Sequence, residues 1–357
     1  MKLTEITQTE YGDVQKNETA VSIADKKAVN QILQMYEEYI AFVHEEKTRE
    51  ENSILSDGYC FLTAREIIRD AIKNTDKKKQ ANRTEYTTTA EYTSKDITEF
   101  STLLKKYQTM NAFSYSGFFI SALINDHFAQ TKQTEPYVLI LEPYNETLDY
   151  LCYKNEGATV HIYGNVGNET CSYMLNGEII ISGNSEDDLG AEMINGLIHL
   201  QGNANGSVGL KMRNGMIQID GSVSSSVLGV GYEMSGGKII VNRDVHDTAA
   251  KMKGGEIIIK RNVLGQAAEY LSSGILRIEK DCKQIGVGMR GGKVYIKGNV
   301  EEIGDSHCGN SPEDMGHYPR MTGGTIHFEG EYKRMSKLIS GTEIFQRGKR
   351  IFPVGKK

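Results

Sequence analysis

Met174-Leu-Asn-Gly-Glu-Ile-Ile-Ile-Ser-Gly183 is followed by Met193-Ile-Asn-Gly-Leu-Ile-His-Leu-Gln-Gly202 and then by Met212-Arg-Asn-Gly-Met-Ile-Gln-Ile-Asp-Gly221. The phrase returns in looser form at Met234, Met252, Leu271, Met289 and Met321. The glycines that open its strands are Gly177, Gly196, Gly215, Gly237, Gly255, Gly274, Gly292 and Gly324, spaced by 19, 19, 22, 18, 19, 18 and 32 residues. An earlier copy, Ala158-Thr-Val-His-Ile-Tyr-Gly164, stands 19 residues before Gly177 when aligned on its strand. A fixed period near 19 means that each repeat is one coil of a solenoid.

Two positions in every copy are apolar, as in Val160 and Ile162, Ile179 and Ile181, Ile217 and Ile219, or Ile257 and Ile259. Alternation with a period of two and β-branched residues marks a strand with one buried face. Nineteen residues are too few to return through a helix, so successive strands must stack in parallel, about 4.8 Å apart. Asn-Gly and Gly-Gly pairs supply positive φ at the corners, with one such residue expected in Asn214-Gly215 and one in Gly236-Gly237. Asn165, Asn184, Asn203 and Asn299 follow strand-ending glycines, where an internal asparagine ladder is expected. The expected fold is mainly β: a parallel β-helix of about nine coils with a small α-helical domain before it.

The phrase Gly-x-x-Met-x-Gly-Gly-x-Ile-x-Val-x-Gly, present at 209–221 and 286–298, resembles the GXGXG repeat. That repeat builds the right-handed β-helical subunit of formylmethanofuran dehydrogenase and the C-terminal domain of the glutamate synthase large subunit. The resemblance covers roughly residues 145–330 and implies a right-handed coil. In both families the β-helix is structural, so it implies no catalytic residue and no cofactor here.

The chain divides in sequence into a helical part at 1–135, the solenoid at 136–330 and a basic tail or cap at 331–357. Residues 1–24 are polar and aperiodic. A helix is expected over 25–51 from Val29, Ile32, Leu33, Tyr36, Ile40 and Val43. A second should start at Thr63 with Glu66 completing a capping box, a charged loop at 76–92 should follow, and Ser94 should cap a third. Residues 113–128 form the most apolar helix, and a strand is expected over 137–141. Lys333, Arg334, Lys337, Arg347, Lys349, Arg350, Lys356 and Lys357 against Glu331 and Glu343 make 331–357 basic, read as a solvated tail or a dock for an acidic surface.

With 357 residues, 39% hydrophobic content and a formal net charge of −6, the chain has enough apolar mass for a core and the wrong charge for a general nucleic-acid binder. Neither a signal-like start nor a membrane-length apolar run is present. Five scattered cysteines fit reduced thiols in a cytoplasm.

Gly286-Val-Gly-Met-Arg-Gly291 satisfies a dinucleotide-binding pattern but enters a strand at 293–297, so it reads as a corner. The insertion at 304–319 holds His307, Cys308, Asp314 and His317, weak metal-ligand candidates without an established zinc spacing. Asp187 and Asp188 fall on a corner and read as solvated. The outward strand column reads His161, Ile180, His199, Gln218, Ile240, Ile258, Arg277, Tyr295 and His327. Ile180, Ile240, Ile258 and Tyr295 are apolar where water is expected, which marks an interaction face, to be covered by the helical part or by a second copy. No catalytic, cofactor or metal residue is assigned. The expected function is a non-catalytic assembly protein with protein partners or self-association. One alternative is a structural component of a tungsten or molybdenum redox complex of the formylmethanofuran dehydrogenase type. The other is a small-molecule enzyme using the loop from His307 to His317.

Overall fold

The computed structural model describes residues 23–49, 57–80, 92–108, 113–141, 145–224, 228–305 and 319–352, with side chains of the first two helices described over 27–46 and 59–71. Among the described residues four α-helices come first: α1 (Ile23–Arg49), α2 (Asp57–Gln80), α3 (Ser94–Leu103) and α4 (Ser116–Thr131). None is long and apolar enough to cross a membrane. Sixteen strands among the described residues follow, the first eight being β1 (Tyr137–Ile140), β2 (Glu156–Tyr163), β3 (Asn176–Ile181), β4 (Leu197–Leu200), β5 (Met216–Ile219), β6 (Lys238–Val241), β7 (Lys253–Ile259) and β8 (Val263–Ala267). The remainder are β9 (Ser273–Ile278), β10 (Cys282–Ile285), β11 (Arg290–Ile296), β12 (Val300–Ile303), β13 (Gly323–Phe328), β14 (Tyr332–Met335), β15 (Glu343–Gln346) and β16 (Lys349–Phe352).

One strand from each coil joins a long sheet of 12 strands in the order β1-β2-β3-β4-β5-β6-β7-β9-β11-β13-β15-β16. Every neighbouring pair is parallel except β15 with β16. A second wall starts as rows of single bridges, Val166 to Ser185 to Ala204 to Val223 to Val245 to Val263, and becomes a regular sheet of β8, β10, β12 and β14. Val160, Ile162, Ile179, Ile181, Ile217, Ile219, Ile257 and Ile259 all point inward and are at most 1% exposed. The alternation read from sequence is therefore the alternation between core and exterior.

The recurrent pairing of Met with Gly within each repeat has a steric cause. A Cβ added at Gly255 would lie 2.6 Å from Met234 Cε and 2.8 Å from Gly237 O, and its φ is +86°. The methionine of one coil thus fills the space left by the glycine of the next. Gly215 and Gly237 have φ of 91° and 85°, as expected at those corners.

A second left-handed corner uses glycine in some coils, Gly190, Gly209 and Gly231 at φ of 67°, 65° and 72°, and other residues in the rest. Glu169, Cys171 and Tyr173 have φ of 56°, 63° and 57°, and Asp188 and Glu192 in the next coil have 58° and 52°. Each left-handed non-glycine residue costs roughly 1–2 kcal/mol. Coil-to-coil hydrogen bonds offset it: Cys171 N–H donates to Leu151 O at 2.7 Å, and Gly190 N–H to Thr170 O at 2.9 Å.

The asparagine ladder forms, but on the exposed rim. Asn184 N–H donates to Asn165 Oδ1 at 2.9 Å, Asn203 N–H to Asn184 Oδ1 at 2.8 Å and Ser222 N–H to Asn203 Oδ1 at 2.9 Å. Side-chain oxygens here replace the backbone acceptors that a tight corner turns away.

The helices close the first coil. α4 is buried along most of its length, and Phe118 stacks on Tyr150 at 4.1 Å and 14°. Gly117 makes this approach feasible, since a Cβ there would sit 1.8 Å from Asp149 O. Asn125 Nδ2 donates to the carbonyls of Tyr153 and Lys154, and Ser121 Oγ donates to that of Tyr150. α3 lies against β1, whose open edge it seals: Thr98 Oγ1 donates to Val138 O at 2.7 Å, and Ile140 N–H donates to Ser101 Oγ at 3.1 Å. The helical and solenoid cores are continuous.

Four local expectations change. α2 starts at Asp57, so Thr63 and Glu66 lie inside the helix rather than in a capping box. It also runs through Gln80, past the expected start of a loop at 76, and the rest of that expected loop to 91 lies outside the described residues. Thr93, not Ser94, caps α3: its hydroxyl accepts from Asp96 N–H, and Asp96 accepts from Thr93 N–H. Finally, 332–352 is not a solvated tail. β14 and β15 extend both sheets in parallel, and Arg347 and Gly348, at φ of 49° and 74°, form a tight hairpin into β16. The solenoid therefore has a tenth coil.

Candidate interaction face

The parallel strands of the long sheet from β2 to β13 bury two alternate side chains each in the solenoid core and turn the residue between them away from it. Parallel pairing in strict register then builds outward columns. His161, Ile180, His199, Gln218, Ile240, Ile258, Arg277, Tyr295, His327 and Phe345 are consecutive partners in the middle column. Ile240 and Ile258 are direct neighbours. Ile180 is separated from Ile240 by His199 and Gln218, and Tyr295 from Ile258 by Arg277, so the four apolar residues are one column but not one patch.

The column has two halves of different character. In the first, Ile180 and His199 are buried at 6% and 8% exposure, and His199 Nε2 lies 2.8 Å from Asp220 Oδ2. This contact, along the flanking column, is what His199 does instead of pairing with His161 two coils away. In the second half, Arg277 lies over Tyr295 at 4.8 Å, Tyr295 stacks on His327 at 5.2 Å, and His327 on Phe345 at 4.6 Å and 6°. Burial in this stack, with Lys293 nearby, holds the His327 imidazole below its usual range.

Charged residues flank the isoleucines. Lys238 Nζ lies 2.9 Å from Glu256 Oε2, and Arg277 Nε donates to Glu256 Oε1 at 2.9 Å. These two cations hold the Glu256 carboxyl below its ordinary value. The helices pack on β1 and β2, so Ile240 and Ile258, each half-buried, lie beyond them. The expected cover by the helical part is thus confined to the start of the sheet.

The second half was harder to see in sequence because Phe345 sits in the tenth coil. Its signal is Ile339-Ser-Gly-Thr-Glu-Ile-Phe-Gln-Arg-Gly348, a copy of Met321-Thr-Gly-Gly-Thr-Ile-His-Phe-Glu-Gly330 with Ile for Met and Thr for Gly. The bridge from Met321 to Ile339 confirms that alignment.

Other candidates resolve differently. His307, Cys308, Asp314 and His317 lie outside the described residues. Among the described residues, no group of three His, Cys, Asp or Glu side chains is placed to hold a metal ion. Gly286 and Gly288, at φ of 81° and 64°, form a corner leading into β11. Asp188 is not solvated. Half-buried beside Asp187, its carboxyl is raised above the ordinary value, and Oδ1 is buried without a hydrogen-bond partner. On the second wall, a hollow of about 620 Å³ is lined in part by His246, Lys283, Glu301, Glu302 and Arg334. Within it Arg334 lies 3.4 Å from the buried Glu302 and 4.0 Å from Glu301.

The long-sheet face is thus the feature with a contact-like composition, and it has no counterpart to borrow from: neither family models nor curated proteins match this chain.

Proposed function

We propose that this chain is a non-catalytic assembly protein whose solenoid presents the outer face of its long sheet as a protein-contact surface. The observation that supports this reading is the pair Ile240 and Ile258, adjacent in register at mid-sheet, half-buried, and ringed by Lys238, Glu256 and Arg277. An apolar centre within a charged rim is the anatomy of a protein interface. Replacing both isoleucines with lysine should leave the circular dichroism unchanged and lower the mass of the native assembly recovered from source cells. An unchanged assembly mass would sink the reading. A second reading, a structural component of a redox complex of the formylmethanofuran dehydrogenase type, is supported by the repeat itself. Co-purification of large redox subunits with the chain would favour it.

A further inference from the structure

We propose that Cys152 and Cys171 are a redox pair, a dithiol that closes into a disulfide between the first two coils. The bond staples the coil that carries the helical cap to the rest of the solenoid.

Among the five cysteines, these two are separated by 19 residues, one period of the repeat. What is scattered in sequence is therefore stacked in the fold. Cys171 N–H donates to Leu151 O at 2.7 Å, and one coil further on Gly190 N–H makes the same bond to Thr170 O at 2.9 Å. Cys152, Cys171 and Gly190 thus belong to one column, continued by Gly209, Gly231, Ala249 and Ala268. Each of these seven has a left-handed φ, between 57° and 72°.

The column faces the core. A Cβ added at Gly190 would lie 2.8 Å from Ile217 Cδ1, and one at Gly209 2.5 Å from Ile239 Cδ1. Ala249 and Ala268, which do carry that methyl, are fully buried. From Gly190 through Ala268 the column holds nothing larger, whereas both residues at its cap end are cysteine. Cys152 and Cys171 are 3% and 0% exposed. Neighbouring coils stand about 4.8 Å apart, inside the range of about 4.4–6.8 Å between Cα atoms that a disulfide spans.

Both residues are free thiols in this structure. Burial first, and then the hydrogen-bonded Cys152 thiol beside it, push the Cys171 thiol well above its ordinary value. A thiol so held is a poor nucleophile at neutral pH, so oxidation requires the first coil to open. Helix α4 governs that opening. Ser121 Oγ donates to Tyr150 O at 2.9 Å and accepts from Tyr153 N–H at 3.1 Å, gripping the backbone on both sides of Cys152. Phe118 stacks on Tyr150 in the same stretch.

The chemistry is thiol–disulfide exchange with a small disulfide such as oxidised glutathione. The Cys152 thiolate attacks one sulfur and expels one glutathione thiolate. The Cys171 thiolate then attacks the Cys152 sulfur of the mixed disulfide and expels the second. The pair loses two electrons and two protons, and the oxidant leaves as two glutathione thiols.

The test refolds the full chain from denaturant in a buffer of reduced and oxidised glutathione. Every thiol is open at the start, so slow access cannot hide the bond. After acid quenching, alkylation and digestion, mass spectrometry should recover the Cys152 and Cys171 peptides joined, about 2 Da lighter than the two thiol peptides together. Cys60, Cys282 and Cys308 should carry the alkyl label. Recovery of Cys152 and Cys171 mainly as thiols, as glutathione adducts or paired with other cysteines overturns the proposal. On the folded chain with oxidised glutathione alone, Phe118→Ala should close the bond about tenfold faster or more, because it loosens α4. Equal rates overturn the gating by α4. In the oxidised wild type, hydrogen exchange of the first two coils should slow by about tenfold or more and recover with dithiothreitol. Exchange that ignores the bond, or an oxidant effect that persists in Cys171→Ser, overturns the staple.

Discussion

In the helical cap, buried polar groups reach far along the chain. Tyr36 OH meets Ser116 Oγ across 80 residues, Tyr39 OH donates to Tyr115 O across 76, and Arg65 bridges Asp126 and Glu156, the latter 91 residues away. In the solenoid, the corresponding bonds span one coil, as from Asn184 to Asn165 or Asn203 to Asn184, 19 residues each. Both regions have buried cores, but one is a knot of aromatic contacts and the other a row of nearly identical units. Stability in such a row is approximately a sum over coils and their nearest neighbours, whereas the cap stands or falls together.

The harshest way to break that contrast is Ile259→Asp. Ile259 is fully buried in the core, and an unpaired carboxylate there has nothing to bond with. The solenoid should fail to fold, seen as loss of the β signal in circular dichroism. A variant that melts like the wild type would overturn the inward register of β7. Next comes Phe118→Ala, which removes a fully buried ring stacked on Tyr150 and should cost about 3–5 kcal/mol. Hydrogen exchange should accelerate in the four helices and the first coil and stay slow from β6 onward. Uniform acceleration would mean that the two regions are one cooperative unit.

Gly255→Ala sharpens the picture of the row. The added methyl meets Met234 Cε and Gly237 O at a positive φ, for an expected loss of about 1–3 kcal/mol. Faster exchange should be confined to the coils on either side, and a global drop would contradict nearest-neighbour behaviour.

The smallest effect concerns Asp188. Burial, and Asp187 beside it, raise its carboxyl above the ordinary 3.8, so the folded chain holds this proton more tightly than the unfolded one. That contribution is complete below the unfolded value and is lost as pH rises through the folded one, leaving the ionised form as a penalty at neutral pH. Asp188→Asn should therefore stabilise at pH 7 by a margin that disappears below about pH 4. A gain that does not change with pH would point to backbone preference instead.

The same contrast explains what sequence could show. The long sheet was legible because Ile179 and Ile181, Ile217 and Ile219, and their equivalents repeat one local pattern nine times. The left-handed corner was only half legible: Gly190, Gly209, Gly231 and Gly286 mark it in their coils, while Glu169, Cys171 and Asp188 take positive φ for the sake of bonds to the adjacent coil, and nothing in their chemistry announces it. The tenth coil was hidden by two substitutions, Ile339 for Met and Thr342 for Gly, within a basic stretch. For the cap, helix existence was legible from apolar spacing, but its docking on the first coil depends on Gly117, Ser121 and Asn125, which are unremarkable one at a time. Of the candidate face, sequence showed the column and its members. Register supplied the adjacency of Ile240 and Ile258 and the stack from Arg277 to Phe345.

Thr98 and Ser101, by occupying the outer edge of β1, give the structure a direction in time as well as in space. Synthesis delivers the cap first, and its sealed strand leaves a single free edge on which β2 can pair. Every later strand of the long sheet then finds its template one coil back, so ring closure is short and the contact order low. The expected growth is vectorial, one coil per 18 to 22 residues over most of its length, and the antiparallel turn into β16 ends the run of parallel strands. Ribosome-stalled chains released after successive coils should accordingly gain protease resistance in steps, from the cap outward.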